Sequence, residues 1–208
     1  MKDQIGEWVD EAMAKYSSDA WHSGQIRYEI YELTKRVEEI KPKVVIEIGT
    51  DLGETLFLWG KVCDGTVISI DLPNGLFGTG KYTDERMPLY RTFGKDIQLI
   101  RDDSHSASTL QQVKEILNGR EVDFLFIDGD HSYDGASDDF LIYSPLVRKG
   151  GMIAFHDIAE PDNPLSEVNK VWNKIKETNE ENKAESFRLE EIIENEVQGW
   201  AGIGMLWK

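Results

Sequence analysis

Five short apolar runs alternate with amphipathic stretches along this chain, and that alternation restricts the fold more than any other feature. The runs are Val44–Ile48, Thr66–Ile70, Ile97–Ile100, Val122–Ile127 and Met152–Phe155. Most of their residues are β-branched or aromatic, which suits strands buried on both faces of a parallel sheet. Among them, periodicity predicts helices over Glu54–Val62, Ser106–Leu117, Gly135–Val147 and Leu165–Thr178. Two more precede the first run, over Gln4–Tyr16 and Gln25–Ile40, with Pro42 stopping the second. Strands alternating with helices imply right-handed crossovers. The expected fold is therefore α/β, a doubly wound, mostly parallel sheet with helices on both faces.

A chain of 208 residues fits one domain. Residues 1–42 would form N-terminal helices, serving as a lid or simply as packing, and residues 43–208 the core. The ends of the strands carry the functional signal. Glu47, Asp71, Asp103, Asp128 and Asp157 recur once per strand–helix unit, each near the C-terminal end of a run. In an open α/β sheet those ends share the ligand-binding edge. One strand-end aspartate is ordinarily a helix cap or turn former. Five on one edge repel each other unless cations share the space.

The corner after the first run reads Glu47-x-Gly49-x-x-x-Gly53, followed by a helix start at Glu54. Glycines there let a ligand approach the backbone, and the helix N-terminus offers unpaired N–H groups. A dinucleotide site would instead show G-x-G-x-x-G. A plain turn that binds nothing has the same glycines.

Net charge is −16, with 23 Lys+Arg against 39 Asp+Glu, which repels a phosphate backbone and argues against nucleic acid as partner. A single cysteine, Cys63, allows no internal disulfide and fits a reducing, cytoplasmic setting. No apolar run is long enough to span a membrane, and the N-terminus lacks a signal-peptide apolar core. A homodimer is the expectation from the tryptophan-rich ends, although Trp21, Trp59, Trp172, Trp200 and Trp207 suit a core as well as an interface.

The corner motif, with Phe126–Gly135 (FIDGDHSYDG) and Gly150–Asp157 (GGMIAFHD), resembles class I S-adenosylmethionine-dependent methyltransferases. The likeness spans residues 25–207 and is nearest the small macrocin and macrolide-sugar O-methyltransferase group, which includes cephalosporin-hydroxylase-like proteins. It implies a Rossmann-like sheet closed by a terminal hairpin over Ser186–Ile193 and Gly202–Lys208, one strand antiparallel. It also implies S-adenosylmethionine as cofactor. Glu47 would lie near the cationic methionine end, with Gly49, Thr50 and Gly53 at the corner. Asp71 would take the ribose hydroxyls, Asp103 and Ser104 the adenine side (Asp102 less so), and Asp128 would border both cofactor and metal. The metal ligands carried over are Asp128, His156 and Asp157. His156 stands where relatives often have a carboxylate, so Mg²⁺ follows from the resemblance while the imidazole favours other divalent ions. His131, in the spacing Asp128-x-x-His131, matches a general base.

Methyl transfer to oxygen suits these residue types. A metal on carboxylates acidifies and orients an acceptor hydroxyl, and a histidine within reach removes its proton, typically worth about 10²–10⁴-fold. The acceptor implied is a sugar-like or polyhydroxylated small molecule, with a catechol-like phenol as the alternative. Two other readings stay open. His131, His156 and an aspartate could form the two-His-one-carboxylate site of a non-haem iron oxygenase, or the chain could bind cofactor or nucleotide without catalysis. The loop Leu72–Thr83, rich in glycine, could cover the cofactor.

Overall fold

The computed structural model describes residues 3–16, 24–73, 82–159, 166–182, 186–195, 197 and 199–208. In chain order the elements are α1 (Gln4–Tyr16), α2 (Arg27–Ile40), β1 (Val44–Ile48), α3 (Glu54–Val62), β2 (Thr66–Asp71), the short α4 (Met87–Tyr90), β3 (Asp96–Arg101), α5 (Ala107–Leu117), β4 (Val122–Ile127), α6 (Tyr133–Tyr143), β5 (Val147–Phe155), α7 (Val168–Glu181), β6 (Arg188–Ile192) and β7 (Ile203–Trp207). The seven strands form one sheet in the order β3-β2-β1-β4-β5-β7-β6. Strands β1 to β5 pair in parallel, and β7 runs antiparallel to both its neighbours. The doubly wound sheet and its C-terminal antiparallel strand agree with expectation.

Strand periodicity assigns each residue to a helical layer. Val45, Phe124, Phe126, Met152 and Ala154 join α1, α2 and α3 through Val9, Leu33, Leu56 and Trp59. Their sequence neighbours Val44, Ile46, Leu125, Ile127, Ile153 and Phe155 join α5, α6 and α7 through Val113, Tyr143 and Trp172. Each fully buried large side chain contributes about 1.5–3 kcal/mol of burial, so the sheet is sealed on both faces. Trp59 and Trp172 are core residues, whereas Trp200 is exposed. Helix α1 buries Val9 and Ala12 completely. Helix α2 also clamps the terminal hairpin: buried Glu29 accepts hydrogen bonds from the backbone N–H of Glu194 at 3.0 Å and Gly202 at 2.9 Å.

Several boundaries differ from the periodicity, those of α6, β5 and α7 most. Helix α6 starts at Tyr133 because the Ser132 side chain accepts from Gly135 N–H, and a short 3-10 turn over Ser144–Leu146 ends it. Val147 belongs to β5, where it pairs with Val122 before an irregularity leads into the regular register from Met152. Gly150, with φ at +74°, sits in that irregularity. The loop expected after Tyr16, with Trp21 and His22, falls largely outside the described residues, as do most of Leu72–Thr83 and the start of the helix expected from Leu165.

The register places the strand ends at one level: Ile48 pairs with Ile70 and with Ile127, and Ile127 with Phe155. Gly49, Asp71, Asp128 and His156 therefore emerge together on the C-terminal edge. Strand order reverses between β1 and β4, so the crevice of this sheet opens beside Gly49 and Asp128. Gly49 has φ at +85°, and a Cβ there would lie 1.8 Å from the carbonyl oxygen of Asp128. Its missing side chain thus lets β1 and β4 close on each other, a different need from admitting a ligand. Gly49→Ala should lower stability by more than about 2 kcal/mol, since positive φ alone costs roughly 1–2 kcal/mol and backbone must also move. Gly119→Ala, also at positive φ but with open space around it, should cost only the conformational part. Urea denaturation of the two variants checks the difference.

Candidate active site

Strands β4 and β5 present Asp128 and the pair His156–Asp157 side by side. His156 is buried, and its Nδ1 lies 3.3 Å from Asp128 Oδ1 and 3.0 Å from Asp157 Oδ1. His131, on the loop after β4, bridges the same carboxylates from the more open side, with Nε2 3.5 Å from Asp128 Oδ1 and Nδ1 3.2 Å from Asp157 Oδ2. Asp157 adopts φ of +62°, an uncommon conformation for a non-glycine residue, and it turns the side chain back toward β4's end. Asp128 Oδ2 accepts from Gln25 Nε2 at 3.1 Å.

Charge follows geometry. Burial opposes ionisation of Asp128, but the imidazoles of His156 and His131 outweigh it and hold the carboxyl below its ordinary range. Burial would lower His131, yet its hydrogen bond to Asp128 and the charge of Asp157 raise it to about 9. His156 is raised well above the ordinary imidazole value by the same two acids, against its burial. Both imidazoles thus stand between two carboxyl groups that would otherwise face each other without a donor.

Among the described residues, the side chains able to offer converging ligand atoms to a cation are Asp128, His131 and Asp157, all within 4.8 Å of one another. His131 joins this group, and His156, expected as a ligand, lies against both carboxylates through Nδ1. That set is one imidazole with two carboxylates, and His156 Nδ1, 3.3 Å from Asp128 and 3.0 Å from Asp157, places a second imidazole against the same oxygens. Its mixed nitrogen and oxygen donors suit a divalent transition ion at least as well as Mg²⁺.

At the corner after β1 the acids have separate tasks. Glu47 is fully buried, and its two oxygens accept from Thr55 Oγ1 at 2.6 Å and Thr50 Oγ1 at 3.0 Å. Burial pushes its carboxyl up to about 8. Asp71 takes N–H groups from Thr50 and Asp51 at 2.8 Å each and from Leu72 at 2.7 Å, which pins the turn to the end of β2. The first two of these bonds both fall on Oδ2, so Oδ1, with the Leu72 N–H alone, keeps capacity for one further donor. Gly53, at φ of +89°, caps α3, and a Cβ there would press on the Tyr90 ring at 2.7 Å.

Asp103 is exposed after β3, and its Oδ1 accepts from His105 N–H at 2.9 Å. Ser104 is held through its carbonyl by Tyr143 Oη at 2.7 Å. His105, to which the sequence attached no role, puts Nε2 3.2 Å from Oδ1 of fully buried Asp139 and 3.2 Å from the Gly135 carbonyl. Helix α6 therefore anchors the loop after β3 while its own start carries the loop with His131. Gln25 and Asp139 are the contributors that sequence reasoning missed, since neither lies in a motif.

A family model described as a methyltransferase domain matches residues 46–158, just over half of the chain. The chain belongs to the class I S-adenosylmethionine-dependent methyltransferase family. Its fold agrees with solved methyltransferases at low identity. The O-methyltransferase TomG of Streptomyces achromogenes, solved with S-adenosylmethionine, matches with a TM-score of 0.64 and 14% identity, over 100% of this chain and 90% of that one. An O-methyltransferase of Bacillus cereus, in complex with S-adenosylhomocysteine, matches at 0.60 and 18%, over 100% and 92%. MycE, a methyltransferase of mycinamycin biosynthesis solved with Mg and S-adenosylhomocysteine, matches at 0.62 and 15%, over 100% and 55%. The uncharacterised protein R132 of Acanthamoeba polyphaga mimivirus is 30% identical over 135 residues, 64% of this methyltransferase and 59% of the viral protein. The chain thus spans less than two thirds of that relative's length. No helix among the described residues is long and apolar enough to cross a membrane.

The His105–Asp139 pair makes stability depend on pH in this methyltransferase. Asp139 and His105 pull oppositely: burial pushes the Asp139 carboxyl up, while its hydrogen bond raises His105 to about 9. At 3.2 Å with the carboxylate fully enclosed, the ion pair is the state the geometry favours. A histidine raised above its ordinary 6.5 adds stability that is complete below about pH 6.5 and lost as pH rises through about 9. The wild type should therefore melt higher than His105→Asn at pH 6, and the gap should shrink steadily by pH 10. Thermal scans of both proteins across that range measure it.

Proposed function

We propose that the chain is an O-methyltransferase that moves a methyl group from S-adenosylmethionine to a hydroxyl of a small, polyhydroxylated acceptor, assisted by a divalent cation. The observation that carries this reading is the meeting of Asp128, His131 and Asp157 at the open end of β4 and β5, beside the switch point of a methyltransferase fold. Asp128 and Asp157 would hold the cation with His131 at its border, and the donor set fits one. Bound there, a divalent cation supplies positive charge that makes an acceptor hydroxyl more acidic. S-adenosylmethionine supplies a methyl group activated by its sulfonium. MycE, solved with Mg, lends the metal support.

The chain's own residues then position and deprotonate. Asp103 and Ser104 would face the adenine side, Asp71 and its pinned turn the ribose, and Glu47, Thr50 and the start of α3 the methionine end. Gly49 and Gly53 let that corner close. His131 can accept a proton only when neutral, and the two carboxylates hold it protonated at pH 7. Charge on the carboxylates' other side weakens that hold, so base function and cation occupancy are linked through Asp128 and Asp157. A net charge of −16 disfavours nucleic acid as acceptor, and the lone buried Cys63 fits the cytoplasm.

Turnover should be sought with isotopically labelled S-adenosylmethionine against panels of sugars and phenols. Activity should vanish in EDTA and return with a divalent ion. Asp128→Asn should weaken the ion and lower turnover, with cofactor binding nearly retained by calorimetry. His131→Ala should cost about 10²–10⁴-fold in kcat, most at high pH, where the wild-type ring is neutral and able to accept a proton. Full rates in metal-free protein would remove the cation from the mechanism, and cofactor binding with no turnover of any acceptor would make the chain a binding module.

A further inference from the structure

Glu54 is the first residue of α3, immediately after the Gly53 cap. It is 93% buried, with 7% of its surface exposed, and its Oε1 has no hydrogen-bond partner among the described residues. Such an oxygen is costly to enclose. The charged groups felt by this carboxyl are His156, Asp128 and Asp51, which places it at the β1–β4–β5 end of the crevice. Burial pushes it up to about 7, so a cation close by would be needed to keep it ionised at neutral pH. Other acids of this edge already have partners: Glu47 two threonine hydroxyls, and Asp128 the Gln25 amide and two imidazoles.

We propose that Glu54 accepts a hydrogen bond from the α-ammonium group of the bound cofactor. The assignment rests on the reading that this edge binds S-adenosylmethionine, whose amino-acid end would lie between β1 and β4. An ammonium carries three donors and one positive charge, and Glu54 Oε1 is an unfilled acceptor in an acidic enclosure. The rival is internal. His156 Nε2 is also buried without a partner, and a water could join it to Glu54 with no ligand involved.

Calorimetry with S-adenosylhomocysteine and its deamino analogue separates the two, because neither ligand carries the sulfonium. Wild type should prefer S-adenosylhomocysteine by about tenfold or more, the scale of one charge-assisted hydrogen bond in a buried site. In Glu54→Gln that preference should collapse toward unity, because S-adenosylhomocysteine weakens while the analogue does not. Ligand-free Glu54→Gln should melt at or above wild type, since an unfilled buried carboxylate is replaced by a neutral amide. An unchanged preference overturns the proposal, and a lowered melting temperature accompanying it assigns Glu54 to His156. If the amide variant fails to fold, Glu54→Asp withdraws the carboxylate and should reduce the preference partway; no reduction overturns the proposal equally. Failure of S-adenosylhomocysteine to bind wild type would instead strike the cofactor reading itself.

Discussion

The close approach of β1 and β4 at Gly49 sets the geometry of everything on the C-terminal edge. With Gly49 against the Asp128 carbonyl and Asp128 N–H bonded to Ile48 O at 2.8 Å, the end of β4 has one height relative to β1. His156 N–H then bonds Ile127 O at 3.1 Å and carries that height across to β5. Asp128 and Asp157 face each other because three strands share one register, well before any side-chain attraction acts. A side chain at position 49 would spread the strands and separate the carboxylates at once.

The same edge shows three ways of living with acidic groups. Glu47 is neutralised by desolvation, with hydroxyls on both oxygens. Asp71 keeps its place by accepting from backbone, so its negative end serves the turn. Asp128 and Asp157 are balanced by imidazoles, groups that can give up their proton near neutral pH once the balancing charge changes. In this last arrangement alone of the three, the partners of the acids are themselves ionisable rings. Its location at the switch point is what ties the sheet to its chemistry.

The strands and the edge were legible in the sequence because both are periodic. Buried parallel strands read as unbroken β-branched runs, and an acid recurs once in each strand–helix unit. Boundaries set by a single hydrogen bond or a single pairing were not legible, as with Ser132 starting α6 and Val147 joining β5. The motif placed Gly49 correctly but for a different need, since nothing local reveals that Asp128, 79 residues onward, would fill the space of its side chain. Gln25 and Asp139 were invisible for a related reason: Gln25 reaches a partner 103 positions away, and Asp139 one 34 positions earlier, each from a segment whose own pattern is only helical or loop-like.

His131 and His156 differ in a way that residue type alone does not reveal. Both are histidines beside an aspartate, and the family resemblance made His156 a ligand and His131 the base. Depth distinguishes them. The His156 side chain is 2% exposed, and its Nδ1 already serves both carboxylates, whereas the His131 side chain is 36% exposed and spans the open side of the pair. The enclosed ring is held by its two carboxylate contacts, while the ring nearer the surface has room to turn. The difference in depth follows from strand register and loop length: His156 directly follows β5 at the sheet's end, and His131 sits on the loop after β4.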